Sequence, residues 1–178
     1  MSLARFQMGK QPNSTACWVT VSQFCMRCLG TEGVGSLDGL VKTFQKVPEG
    51  SQSAMAGAGR PATVLDSFSV AHRRQVVPKG TTEIKKLADE VAAHVMADKP
   101  VIINLVSPNI GGFAHANVIV SATSTGPSFG IKDPALPNPN HIRFVTWSSL
   151  FEEGYLYTYH QGMGKEIYVY CKSVIFVG

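Results

Sequence analysis

The sequence is short of charge. Aspartate, glutamate, lysine and arginine make up 16% of its 178 residues against 44% hydrophobic, a balance that excludes a self-repelling disordered chain and suits a compact globule. It has no dense lysine or arginine run; its formal net charge of +4 is spread along the chain, so no nucleic-acid partner is expected. No apolar run approaches the length that crosses a bilayer, and Met1-Ser-Leu-Ala-Arg-Phe6 lacks the apolar core of a secretory signal. No membrane partner is therefore expected. The chain reads as cytoplasmic where it is made, with any exit left to a dedicated secretion system. No internal repeat is visible.

Cysteine is scarce as well: Cys17, Cys25, Cys28 and Cys171. Three of them crowd one expected helix, which argues against a disulfide framework and for a reducing compartment. Cys25-x-x-Cys28 has neither a second pair nor a neighbouring histidine to complete four ligands, so no metal and no cofactor is expected, and both read as small core residues.

What is present reads as helices followed by strands. At 178 residues the chain is expected to form a single domain, 1–178, with a flexible loop over about 48–62 where small residues cluster. From Ala16 to Leu29 the residues are apolar almost all round the helical wheel, so this helix is expected to be buried between layers. A second helix begins at Ser36 as N-cap and ends before Pro48. A short helix over 63–69 and a strand from Ala71 to Val77 follow. Thr81 or Thr82 is expected to cap an amphipathic helix carrying Ile84, Leu87, Ala88, Val91 and Val95 on one stripe. Beyond Pro100 come strands at Val101–Ser107, Phe113–Thr123, Phe129–Lys132, Ile142–Trp147, Tyr155–His160 and Glu166–Val177, divided by turn signals. The expected fold class is α+β with a mainly antiparallel C-terminal sheet.

One stretch carries a chemical suggestion: Gln11-Pro-Asn-Ser-Thr-Ala-Cys17-Trp18. A cysteine opening an apolar helix has its thiolate favoured by the helix dipole. The unpaired N–H groups of the first turn, with a side-chain amide upstream, can face a developing oxyanion. A buried core cysteine fits the same letters, so the choice turns on partners downstream. His115, in Gly111-Gly112-Phe-Ala-His115-Ala-Asn, opens a strand beside two glycines that let a substrate backbone approach, and it suits a general acid and base. Asp133, before Pro134, ends the next strand. If the two strands pair, it comes beside His115 and can orient the imidazole, although an Asx turn before proline explains it equally well. Asn138 and Asn140 are fallback orienters. His72, beside Arg73 and Arg74, is disfavoured as an imidazolium; His94 falls on or beside a polar helix face, and His141 and His160 lack any cysteine context. Phe113, Trp147 and Tyr155 suit the lining of a groove, but core is the expected place of each.

The order Gln11, Cys17-Trp18, His115-Ala116, Asp133-Pro134 resembles the papain-like cysteine peptidases, and is most similar to the short bacterial branch that includes the effector proteases of pathogens; the leader-processing domains of bacteriocin exporters are related in pattern. The resemblance covers about residues 8 to 150. It implies a papain-like fold with the nucleophile on a buried central helix, Cys17 as nucleophile, His115 as acid and base, Asp133 as orienter, and Gln11 with the Cys17 N–H as oxyanion hole. Gly111 and Gly112 would border the substrate. The implied partner is a protein substrate, with a neutralising immunity protein if the chain is a toxin or effector. Ser14-Thr-Ala16 stand where the animal and plant signature has Cys-Gly-Ser, so the accompanying disulfide is not expected. With ten residues ahead of Gln11, no zymogen propeptide is expected. The same thiol and imidazole would also serve a cell-wall amidase, a deamidase or an acyl transferase. An inactive papain-like binding module is the remaining alternative.

Overall fold

The computed structural model describes residues 2–12, 15–44, 59–124, 126–158 and 166–178. Its helices are α1 (Cys17–Cys28), α2 (Leu37–Phe44), α3 (Gly59–Ser67) and α4 (Thr81–Met96). Its strands are β1 (His72–Val76), β2 (Val101–Val106), β3 (Ala114–Ala122), β4 (Ser128–Lys132), β5 (Arg143–Thr146), β6 (Tyr155–Thr158) and β7 (Glu166–Val177). The fold class is α+β, as the order of helical and alternating patterns implies. The sheet runs β1-β7-β2-β3-β4-β5, with β6 also paired to β7. Every pairing is antiparallel.

Burial follows from composition. All residues from Cys17 to Met26 are buried, because α1 packs on β2 and β3 while α2 and α3 cover it from outside. A helix without a polar face can only sit there. Its Phe24, 2% exposed, is the kind of side chain whose removal from water contributes about 1.5–3 kcal/mol. In α4 the buried positions are Ile84, Leu87, Ala88, Val91, Ala92 and Val95, the stripe legible from spacing. Consecutive burial along β2 and β3 means that both faces of the sheet centre are covered.

Several expectations need correction. The loop expected over 48–62 is helical from Gly59 onward, with Pro61 inside the first turn, where its missing N–H costs nothing; residues 45–58 lie outside the described residues. The N-cap of α4 is Gly80, with a φ of 103° and no side-chain cap bond, while the Thr81 hydroxyl donates to Glu152. A π-helical turn at Ser149–Glu153 had no sequence signal. It ends on Gly154, whose φ of 80° and ψ of 174° belong to a region open essentially to glycine alone. A Cβ there would lie 2.8 Å from the Val169 carbonyl oxygen. Glycine is what lets β6 start against β7.

Candidate active site

Cys17 is the first residue of α1, with Ala16 as N-cap and no side-chain cap at that end. The Trp18 and Ala116 N–H groups are bonded to its sulfur, and so is the His115 ring. The thiol is only 6% exposed. His115 enters from the start of β3, where it lies opposite Leu105 of β2. Since β3 pairs with β4 so that Val118 faces Lys132, the residue after Lys132 comes level with Asn117, two positions from the histidine on the same strand face. His115 Nε2 is 2.8 Å from Asp133 Oδ1. The imidazole therefore bridges the thiol and the carboxylate, three groups separated by 98 and 18 positions in a 178-residue chain.

Asp133 faces His115 and closes a turn at the same time. Its Oδ1 also accepts the Ala135 N–H at 2.8 Å, closing an Asx turn at Pro134, and the turn aims the carboxylate at the ring. Its Oδ2 accepts the Tyr157 hydroxyl at 2.5 Å. Asn117, two residues past His115 on the same strand face, lies against the pair; with its amide nitrogen turned toward them it is 3.2 Å from Asp133 Oδ1. The rings of Phe113 and Tyr157 flank the imidazole with centroids 6.4 and 5.6 Å away.

Electrostatics favour charge separation. Burial by itself would raise the Cys17 pKa, but the hydrogen bond and charge of His115, followed by the Ala116 and Trp18 N–H groups, bring it below its ordinary 9.0. Burial would likewise lower His115; Asp133, then Cys17, outweigh it and raise the imidazole to about 10. Asp133 is opposed by burial yet held below its ordinary range by His115, Tyr157 and the Ala135 N–H. Between the two titrations the pair rests as thiolate and imidazolium, the protonation state that nucleophilic attack requires.

The other residues singled out in the sequence lie as follows. Gln11 is buried, and its N–H donates to the Pro134 carbonyl at 3.0 Å, which fastens it beside the Asp133 turn. Gly111 and Gly112 are exposed on the turn leading to β3, with open space where a side chain would project. Asn138 and Asn140 do not reach the imidazole. Asn138 accepts the Asn140 N–H, and Asn140 brackets Met8, accepting its N–H at 2.7 Å and donating to its carbonyl at 3.2 Å. His94 is half-buried rather than on a polar face, its Nε2 3.2 Å from the Val177 carbonyl. His160 lies outside the described residues. All four cysteines are free thiols. Among the described residues, no group of three or more His, Cys, Asp or Glu side chains is gathered as a metal site would need.

Two residues escaped the sequence reading. Tyr157 looked like one aromatic of a short strand; the only hint was alternation in Tyr155-Leu-Tyr157, which turns both tyrosines to one face. Lys132 is 1% exposed, its Nζ bonded to the carbonyls of Phe6 at 2.5 Å and Ala4 at 3.1 Å. It latches the N-terminal segment across β4.

The chain is similar to a solved structure of the peptidase domain of Streptococcus ComA, a bi-functional ABC transporter involved in a quorum-sensing pathway. The TM-score is 0.58 over 98% of each chain, at 13% identity. The fold is that of a papain-like peptidase domain. At this identity the likeness concerns the papain-like fold alone. No protein-family model and no curated protein matches the sequence, and among the described residues no helix is long and apolar enough to cross a membrane.

Proposed function

We propose that the chain is a cysteine peptidase, hydrolysing peptide bonds of a protein substrate through Cys17. The observation that carries this reading is the imidazole of His115 bonded to the Cys17 thiol on one side and held 2.8 Å from Asp133 on the other. The Cys17 thiolate attacks the peptide carbonyl. The oxygen that becomes negative is received by the Cys17 N–H and the Gln11 amide. The His115 imidazolium gives its proton to the departing amine, leaving a thioester on Cys17. Neutral His115 then takes a proton from water, the hydroxide adds to the thioester, and the thiolate leaves. Asp133 keeps the ring in the tautomer and plane that both transfers use, and Gly111 and Gly112 border the bound chain.

The likeness to a peptidase domain supports peptide bonds over the amidase, deamidase and acyl-transferase alternatives. Incubation with a whole-cell protein extract, read by mass spectrometry of new termini, tests it: the wild type generates new N-termini and Cys17→Ala does not. Deamidation or acylation without new termini would move the assignment to another acyl transfer. The toxin or effector role is tested by producing the chain inside a bacterial cytoplasm; growth arrest that Cys17→Ala abolishes is the expected result.

A further inference from the structure

The acid of the site is held from a direction that the proposed mechanism does not use. Asp133 Oδ1 is occupied by His115 and by the Ala135 N–H. Asp133 also lines a cavity of about 210 Å³, together with His141, Arg143, Tyr155 and Tyr157. An Asx turn fixes one oxygen of a carboxylate and leaves the group able to swing about that contact. Tyr157 removes this freedom: its hydroxyl, 2.5 Å from Oδ2, ties down the second oxygen. The side chain that does so is 2% exposed, on a strand paired to β7 with Tyr157 opposite Ile167. Its ring stands 6.3 Å from Phe113 and 5.6 Å from His115, closing the apolar wall around the imidazole.

Resting on the reading of Asp133 as orienter, we infer that Tyr157 is a positioning residue of the same site, clamping the carboxylate's outer oxygen so that the inner one stays aimed at His115. The clamp has a second effect. A carboxylate that gives part of its negative charge to a phenol donor attracts the imidazolium proton less strongly. Tyr157 thereby keeps His115 acidic enough to release that proton to a leaving amine. Burial, and after it the neighbouring carboxylate, push the phenol well up, so it remains a donor throughout the range in which the thiolate–imidazolium pair exists.

The test is Tyr157→Phe, which keeps the ring against Phe113 and His115 and deletes only the donor. The readout is the titration of the His115 ring nitrogens by NMR, which needs no substrate. The expected result is a displaced His115 titration, upward where the carboxylate stays in place with its full charge and downward where it swings from the ring, together with kcat on a cleaved peptide lowered about three- to ten-fold at unchanged KM. A purely structural role would lower the melting temperature and leave the titration where it was; an unchanged His115 titration overturns the clamp. Should Tyr157→Phe fail to fold, tyrosine labelled at Cζ in the otherwise native chain serves instead. The Tyr157 signal must move in Asp133→Asn, and its failure to move overturns the clamp equally. If the His115 titration shifts while Cys17 shows no thiolate in the wild type, the clamp stands and the peptidase reading falls.

Discussion

At about pH 6, Cys17 should be alkylated by iodoacetamide far ahead of the other three thiols, and His115→Ala should abolish that lead. The size of the gap follows from the surroundings of each sulfur. Burial pushes Cys28 and Cys171 up to about 12 and Cys25 well above 9.0, whereas Cys17 lies below 9.0. Three pH units separate a thiol at 9.0 from one at 12, so ionisation alone favours Cys17 by more than about a thousand-fold. Removing His115 leaves the burial of Cys17 in place and takes away its two largest counterweights, so its titration must climb above the ordinary value. The assay is a time course from about pH 5 to pH 11, with peptide mapping to assign each modified cysteine. Alkylation needs only the thiolate and should persist through the His115 titration near 10; peptide hydrolysis also needs the imidazolium and should fall there. Equal rates for Cys17 and Cys28 at pH 6, or a His115→Ala variant as reactive as the wild type, would refute the ion pair.

Gly154→Ala should destabilise the fold by about 1–3 kcal/mol, since its Cβ would meet the Val169 carbonyl at 2.8 Å; a urea midpoint unchanged from wild type would contradict this. Lys132→Met keeps the bulk against Phe24 but strips a donor from the carbonyls of Ala4 and Phe6. It should cost about 2–4 kcal/mol and speed proteolysis ahead of Gln11, and a loss under about 0.5 kcal/mol would show the latch to be idle. Burial opposes and Asp133 drives the rise of His115 from 6.5 to about 10, so its contribution to stability is complete below 6.5 and is lost as pH rises toward 10. Cys17, lowered on folding, acts in the opposite sense: its contribution is present above 9.0 and lost as pH falls through its folded value. Cys17→Ala removes that second effect, and its melting temperature should fall as pH rises from 6.5, with the window closing earlier because the thiolate no longer supports His115. A flat profile over that range would contradict the linkage.

Much of this arrangement could be read from the letters. Six strands after Pro100 stand within two residues of their expected ends wherever described, because alternation and turn residues mark both the face and the limits of a strand. The meeting of His115 with Asp133 was also legible, since a short hairpin brings the end of one strand level with the start of the other. What could not be read depends on distant partners. Lys132 was legible only as the end of a strand; nothing nearby in sequence announces that two carbonyls 128 and 126 positions earlier will solvate it. Tyr157 carries no motif, and its meaning comes from a carboxylate 24 positions away, just past the end of a strand that β6 does not pair with. The cap of α4 went to Gly80 because its backbone, with φ at 103°, makes the turn that neither threonine was needed for.

The long strand β7 pairs with β1, β2 and β6, and it follows all three in the chain. On a ribosome those strands emerge first and wait. Among the described residues neither β1 nor β6 has another partner in the sheet, so both stay unplaced until Glu166–Val177 is out of the exit tunnel, a late closure over a long loop of the kind that slows folding. β6 carries the hydroxyl on Asp133. A nascent chain can thus assemble its nucleophile and imidazole early, yet it completes the support behind the acid only once β7 has emerged.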